Sequence, residues 1–110
     1  MPHIRMRGLP QEAVCRISET LLDELASLCQ IKADSFTLDW ESSVSYRAGK
    51  VDTAFVQVEV LWFPKDPEIR HAVEQIIRQA VLADYSPAKH ISIMFMALTP
   101  QCYYRDGQHF

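Results

Sequence analysis

Pro2-His3-Ile4-Arg5-Met6-Arg7, at the start of the chain, alternates as a β-strand does. Pro2, Ile4 and Met6 fall on one face, and His3, Arg5 and Arg7 fall on the other. Proline in second position adds chemistry to that geometry. Trimming of the initiator methionine before so small a residue would leave Pro2 with a free secondary amine. A chain-terminal amine has a reference pKa of about 8. Burial among apolar groups and nearby cations both disfavour its charged form. An amine brought towards neutrality in this way can act as a general base near pH 7. While Met1 remains, the same nitrogen is an amide without a basic lone pair. The plain alternative is that Pro2 is only an edge-strand residue.

Working outward, Gly8-Leu9-Pro10 is a turn that opens a helix running to about Gln30. Val14, Ile17, Leu21, Leu22, Leu25, Leu28 and Cys29 fall on its apolar face, and Glu12 to Arg16 is an i,i+4 pair. Phe36, Leu38, Trp40, Val44 and Tyr46 then alternate with polar residues as one half-buried strand. Arg47-Ala48-Gly49-Lys50 turns the chain into a second long strand. Ala54, Val56, Val58, Val60 and Trp62 lie on one face of it, and Phe55, Gln57, Glu59, Leu61 and Phe63 on the other. Asp66 is a suitable N-cap before Pro67 at the first position of a second helix. Ile69, Val73, Ile76, Ile77, Ala80 and Val81 make its apolar stripe. Ser86-Pro87 breaks the chain before a last long strand containing Ile91, Ile93 and Phe95, and a short aromatic tail with one more short strand follows.

The order is β-α-β-β-α-β, and its two halves repeat, over about residues 2–46 and 54–98. Val14, Leu21 and Leu22 match Ile69, Ile76 and Ile77, and Phe36 and Leu38 match Ile91 and Ile93, all 55 residues apart. The first strands match 54 apart, Ile4 with Val58 and Met6 with Val60. Each half alone leaves a strand face uncovered. The expected fold is therefore a single α+β domain over residues 1–110: one four-stranded sheet with two helices on one face.

Composition excludes several functions. A chain of 110 residues with 48% hydrophobic and 23% charged residues is long enough for one core of ordinary globular type. A net charge of −3, with scattered basic residues, argues against nucleic-acid binding by phosphate neutralisation. No apolar run suits a membrane span and no signal peptide opens the chain. The odd, widely spaced Cys15, Cys29 and Cys102 read as reduced thiols of a cytoplasmic protein. His3, His71, His90 and His109 have no metal-ligand spacing, and the three glycines form no phosphate loop, so no metal or other cofactor is expected.

Two βαβ halves with proline directly after the initiator methionine resemble the tautomerase superfamily, the group of macrophage migration inhibitory factor and the carboxymethyl-hydroxymuconate isomerases. Pro2-His3-Ile4 resembles the Pro-His-Phe start of those isomerases. Lys32 stands four residues before Phe36, as a pocket lysine stands before a tyrosine in migration inhibitory factor. Ser86-Pro87-Ala88-Lys89 is similar to the Ser-Pro-Asp-Arg before that protein's last long strand. Glu59-Val60-Leu61-Trp62-Phe63 and the tail Tyr103-Tyr104-Arg105-Asp106-Gly107-Gln108-His109-Phe110 resemble an uncharacterised bacterial branch.

The resemblance implies a homotrimer with small-molecule pockets between subunits around each terminal proline, and a tail lying against a neighbouring chain. It implies a proline amine that moves a proton between carbon and oxygen of an enol or 2-oxo carboxylic acid, with Lys32 holding the carboxylate. The tyrosine that migration inhibitory factor carries on its last long strand is missing here, and Tyr103 or Tyr104 are its candidate replacements. Glu59 is either solvated at an interface, held by Arg5 or Arg7, or a water-activating acid as in some hydrolytic relatives. Arg5 and Arg7 suit a trimer's inner channel. Trp62 and Phe63 suit the core or a subunit contact, and either suits a pocket wall. Two rival readings remain at this stage. One is a catalytically silent trimeric module that binds a ligand or a protein; the other is a ferredoxin-like ligand-binding domain.

Overall fold

The computed structural model describes residues 2–110; Met1, on whose removal a free Pro2 amine depends, lies outside the described residues. In chain order the elements are strand β1 (His3–Arg7), helices α1 (Gln11–Ile17) and α2 (Leu21–Cys29), and strand β2 (Thr37–Glu41). A hairpin of β3 (Ser45–Arg47) and β4 (Lys50–Asp52) leads to the long strand β5 (Phe55–Trp62). Helix α3 (Pro67–Asp84), strand β6 (His90–Ala97) and a tail hairpin of β7 (Tyr104–Arg105) and β8 (Gln108–His109) complete the chain.

The main sheet is four-stranded in the order β2-β1-β5-β6. β1 runs parallel to β2, β5 runs parallel to β6, and β1 and β5 meet antiparallel in the middle. Each parallel pair is bridged by helical chain, so the two repeats share one sheet back to back. Ile4, Met6, Val56, Val58 and Val60, at most 1% exposed, form the floor of the core. Ile17, Leu21 and Leu25 cover it from one repeat, and Val73, Ile77 and Val81 from the other. Burial of each such side chain contributes about 1.5–3 kcal/mol. The opposite face, where His3, Arg5, Arg7, Gln57, Glu59, Leu61, Met94 and Met96 lie, carries no helix and is half-buried to exposed. Among the described residues no helix is long and apolar enough to cross a membrane.

The first helix differs from expectation, being two helices rather than one. Ser18 Oγ donates to Cys15 O at 2.6 Å, drawing on a carbonyl that the next turn would use. Glu19 and Thr20 then bond three residues back, to Arg16 O and Ile17 O, which tightens the turn and ends α1. The helical layer is therefore α1, α2 and α3. The strand expected over residues 36–46 also divides. Its ladder with β1 stops at Arg7–Glu41, because β1 itself ends there and Gly8 turns the chain away at φ +92°. Past that point Val44 and Tyr46 leave the sheet for the β3–β4 hairpin. Its turn is closed by Ala48 (φ 53°) and Gly49 (φ 77°), both left-handed as a two-residue hairpin requires. Asp66 does precede α3, with Pro67 in the first turn, but its side chain makes no capping bond.

Candidate functional site

The amino end of β1 lies in the middle of the sheet's edge, between β2 and β5. Pro2 is buried, and its carbonyl accepts a hydrogen bond from the Thr37 N–H at 3.1 Å. The β1 registers pair His3 with Thr37 and with Leu61. One residue back, the same registers set Pro2 beside Phe36 and Trp62, which are 6% and 3% exposed. Pro2 thus belongs to the apolar, helix-covered side, as its alternation with Ile4 and Met6 requires.

His3 points to the other side, and there the sequence reading missed a cluster. His3 Nδ1 lies 2.6 Å from Thr37 Oγ1, and His3 Nε2 lies 2.6 Å from the Tyr103 hydroxyl. The ring also stacks on Tyr103, with centroids 5.7 Å apart. Tyr103 in turn stands edge-on to Phe63 at 5.6 Å and to Phe110 at 5.2 Å, and Phe110 lies 5.5 Å from Phe63. The Phe110 N–H donates to Pro100 O and to Tyr103 O, both at 3.1 Å, which folds the tail back on itself. The tail therefore docks on its own chain, over the amino end of β1. Partial burial holds the His3 imidazole below its usual value of 6.5. Positive charge at the amino terminus, Arg5 and Arg105 add to that effect, and Asp39 opposes it.

Lys32 is exposed and sits at the mouth of the short turn Ala33–Ser35. Its carbonyl accepts from the Ser35 N–H at 3.0 Å, and the chain then runs directly into Phe36 and Thr37 beside Pro2. Among the described residues its ammonium enters none of the ion pairs, which join Arg16 to Asp84, Arg47 to Asp52, Arg78 to Glu74 and Arg105 to Asp106. Glu59 lies mid-sheet on the open face, opposite Arg5 on one side and Met94 on the other. It too enters none of these ion pairs, so neither expected cation holds it. Arg7 binds Gln57 Oε1 instead, through Nε at 2.9 Å and through Nη2.

Trp62 is core: it packs against Phe95 at 5.0 Å on the helix side, with 3% exposure. Tyr104 is 64% exposed and faces His109 across the tail hairpin. Of the two tyrosines, Tyr103 alone touches β1. The signal for His3 and Thr37 was weak in the sequence, since 34 and 100 residues separate the partners.

Several cavities of the single chain are lined by described residues. One of about 340 Å³ opens at the far end of the sheet, lined in part by Leu9, Trp40, Val44, Val51 and Tyr85. Trp40 Nε1 donates to Leu9 O and the Tyr85 hydroxyl to Thr53 O, fixing two of its walls. Another lies beneath the tail, from Arg105 to Phe110, and a third between the helices. None of the three is lined by Pro2, Lys32 or Glu59. No group of His, Cys, Asp and Glu among the described residues is arranged to hold a metal ion.

A family model described as a domain of unknown function (DUF1904) matches residues 1–109. A crystal structure of a DUF1904 domain from Sebaldella termitidis is 35% identical, with all of both chains covered and a TM-score of 0.92. A macrophage migration inhibitory factor homologue from Prochlorococcus marinus is 18% identical, over 98% of each chain, with a TM-score of 0.81. A fused 4-OT protein, solved as an asymmetric trimer, is 13% identical over 97% of this chain and 94% of its own, also at 0.81. No curated protein matches. Identity of 35% over the full length and a model spanning all but the last residue make the chain a member of the DUF1904 family, built on the fold of the migration inhibitory factor and 4-OT tautomerase superfamily.

Proposed function

We propose that the chain is a cofactor-independent tautomerase or isomerase that uses the free amine of Pro2 as general base on a small enol or 2-oxo carboxylic acid. The observation that carries this reading is the convergence at one end of the sheet. There Pro2 begins the central strand, the unpaired Lys32 stands at the head of the neighbouring strand, and a hydroxyl from the tail rests on the residue after Pro2. The Pro2 nitrogen takes the proton from carbon in the keto acid, the C–H pair becomes the C=C bond, and the carbonyl oxygen is protonated. Ketonisation runs the same steps backwards. Lys32 holds the carboxylate as a point charge. Tyr103 serves the oxygen, in place of the tyrosine absent from the last long strand.

The pocket is completed by a neighbouring copy in a homotrimer. Support comes from the uncovered sheet face, from the unpaired outer edges of β2 and β6, and from Met94 and Met96, 36% and 40% exposed on β6. The fused 4-OT relative, solved as a trimer, shares the fold. Glu59, on that uncovered face, is assigned to contact between copies or to substrate. A second reading, a silent trimeric module that binds a ligand or protein, is favoured by the burial of Pro2. Ketonisation of phenylenolpyruvate by wild type and Pro2→Ala separates the two, with intact mass showing that Met1 is gone. A rate in wild type that collapses in the variant supports the enzyme. Equal rates remove Pro2 from the mechanism.

A further inference from the structure

We infer that Thr37, His3 and Tyr103 form a neutral proton relay that joins solvent to the oxygen of the keto–enol pair and turns Tyr103 from donor to acceptor as the substrate changes form. The inference rests on the proposed keto–enol chemistry and goes beyond it, since it puts His3 and Thr37 behind Tyr103 as the source of the proton given to oxygen.

The geometry gives the imidazole two hydroxyl partners, one on each nitrogen, both at 2.6 Å. A neutral imidazole has one N–H and one bare nitrogen, whereas each hydroxyl can either donate or accept. The chain therefore has two complete arrangements. In the first, Thr37 O–H donates to Nδ1, Nε2–H donates to the Tyr103 oxygen, and the Tyr103 O–H points outward to donate to a carbonyl. In the second, Nδ1–H donates to Thr37, Tyr103 O–H donates to Nε2, and the Tyr103 oxygen faces outward to accept from an enol O–H. A keto acid needs the first arrangement and its enol needs the second.

Enolisation then balances as follows. The C–H proton goes to the Pro2 nitrogen. The Tyr103 proton goes to the substrate oxygen, the Nε2 proton to Tyr103, the Thr37 proton to Nδ1, and a water proton to Thr37, which is exposed on the edge strand. The hydroxide left behind is neutralised when Pro2 returns its proton to solvent. Every group of the relay is neutral before and after.

The surroundings keep the ring neutral at pH 7. Partial burial opposes protonation, and Arg5 from β1 and Arg105 from the tail oppose it as well, with an amino-terminal charge adding to them only while that amine is protonated. Asp39 from β2 favours it, and Leu61 from β5 contributes no charge.

The test compares wild type with Thr37→Val, His3→Gln and Tyr103→Phe. Nitrogen-15 NMR of the histidines reads the Nδ1–H to Nε2–H ratio of His3 without any substrate. Thr37→Val and Tyr103→Phe should each shift that ratio, in opposite senses. Unchanged His3 shifts in both variants overturn the relay whether or not the protein turns anything over. With phenylenolpyruvate, His3→Gln still reaches Tyr103 with an amide but cannot pass a proton. It should lose about 100-fold in kcat with KM held within about twofold. Thr37→Val keeps the backbone bond to Pro2 and should lose a similar factor. If Pro2→Ala is dead while both variants retain wild-type kcat, the relay is wrong and the Pro2 reading stands.

Discussion

Tyr103 offers a separation of its hydroxyl from its ring that tests how the tail is held. Tyr103→Phe removes the partly buried bond to His3, worth about 1 kcal/mol. Tyr103→Ala removes in addition the ring contacts to His3, Phe63 and Phe110, each worth about 0.5–1.5 kcal/mol. These contacts hold the tail and not the core, so their loss should appear as local opening rather than global unfolding. Amide exchange reads this directly. The Phe110 N–H donates to Pro100 O and Tyr103 O within the tail, and these bonds fray once the aromatic cluster no longer anchors it. A loss of about 1 kcal/mol lowers its protection about fivefold in the phenylalanine variant, since about 1.4 kcal/mol is tenfold. A total of about 3 kcal/mol lowers it on the order of 100-fold in the alanine variant. That figure is capped by the docking free energy of the whole tail. Amides of Val58 and Ile77 in the core should keep wild-type protection in both variants. If Phe110 exchanges at its wild-type rate in Tyr103→Ala, the aromatic cluster does not hold the tail. If tail and core lose protection together, the tail is not a separate unit.

Two further outcomes concern stability. Gly8→Ala places a Cβ 2.4 Å from Phe55 O at a φ of +92°, which combines backbone strain with a clash against the start of β5. It should cost about 3 kcal/mol or more in urea unfolding, and a cost under about 1 kcal/mol would show that the turn can relax. The second is a pH dependence. The folded His3 value lies below the unfolded one, so the unfolded chain takes up a proton first as pH falls. Stability should be complete above about 6.5 and decline through the lower folded value. His3→Gln, followed by urea midpoints from pH 7.5 to 4.5, should flatten the part of that slope nearest 6.5.

The alternation of Pro2, Ile4 and Met6 and of Val56, Val58 and Val60 was legible because period two leaves no choice of face once a core exists. The same holds for α3, whose stripe from Ile69 to Val81 survives as drawn. Ser18 and Thr20 were not legible as a break, since both are tolerated on a wet helix face. Only the bond from Ser18 Oγ to Cys15 O, and the tightened turn after it, shows that the helix stops. Val44 and Tyr46 kept the right parity for a strand and were assigned to the wrong one. Parity says which face a residue takes, not which partner ends first. At the site, Pro2 was conspicuous because its chemistry is local. His3 carries no such local signal, because its partners stand at the head of another strand and in the tail, 34 and 100 residues away.

The repeat bears on why the proposed chemistry belongs to one end of the sheet and not the other. At the offset of 54 that sets Ile4 on Val58, His3 falls on Gln57, and at the offset of 55 that sets Phe36 on Ile91, Thr37 falls on Ser92. Gln57 faces Ser92 in the register of β5 and β6 as His3 faces Thr37 in that of β1 and β2. The second repeat therefore reproduces the pair of polar residues across a parallel ladder, but with an amide that cannot relay a proton and that is taken up by Arg7. β5 is entered from the β3–β4 hairpin, so the position that matches Pro2 is Val56, whose nitrogen is an ordinary amide. The secondary amine proposed at Pro2 and the tail that returns to His3 have no counterpart in the second repeat. The two strands of the first repeat, not the symmetric core, are what bring them together, so Gln57→His alone should confer no second site.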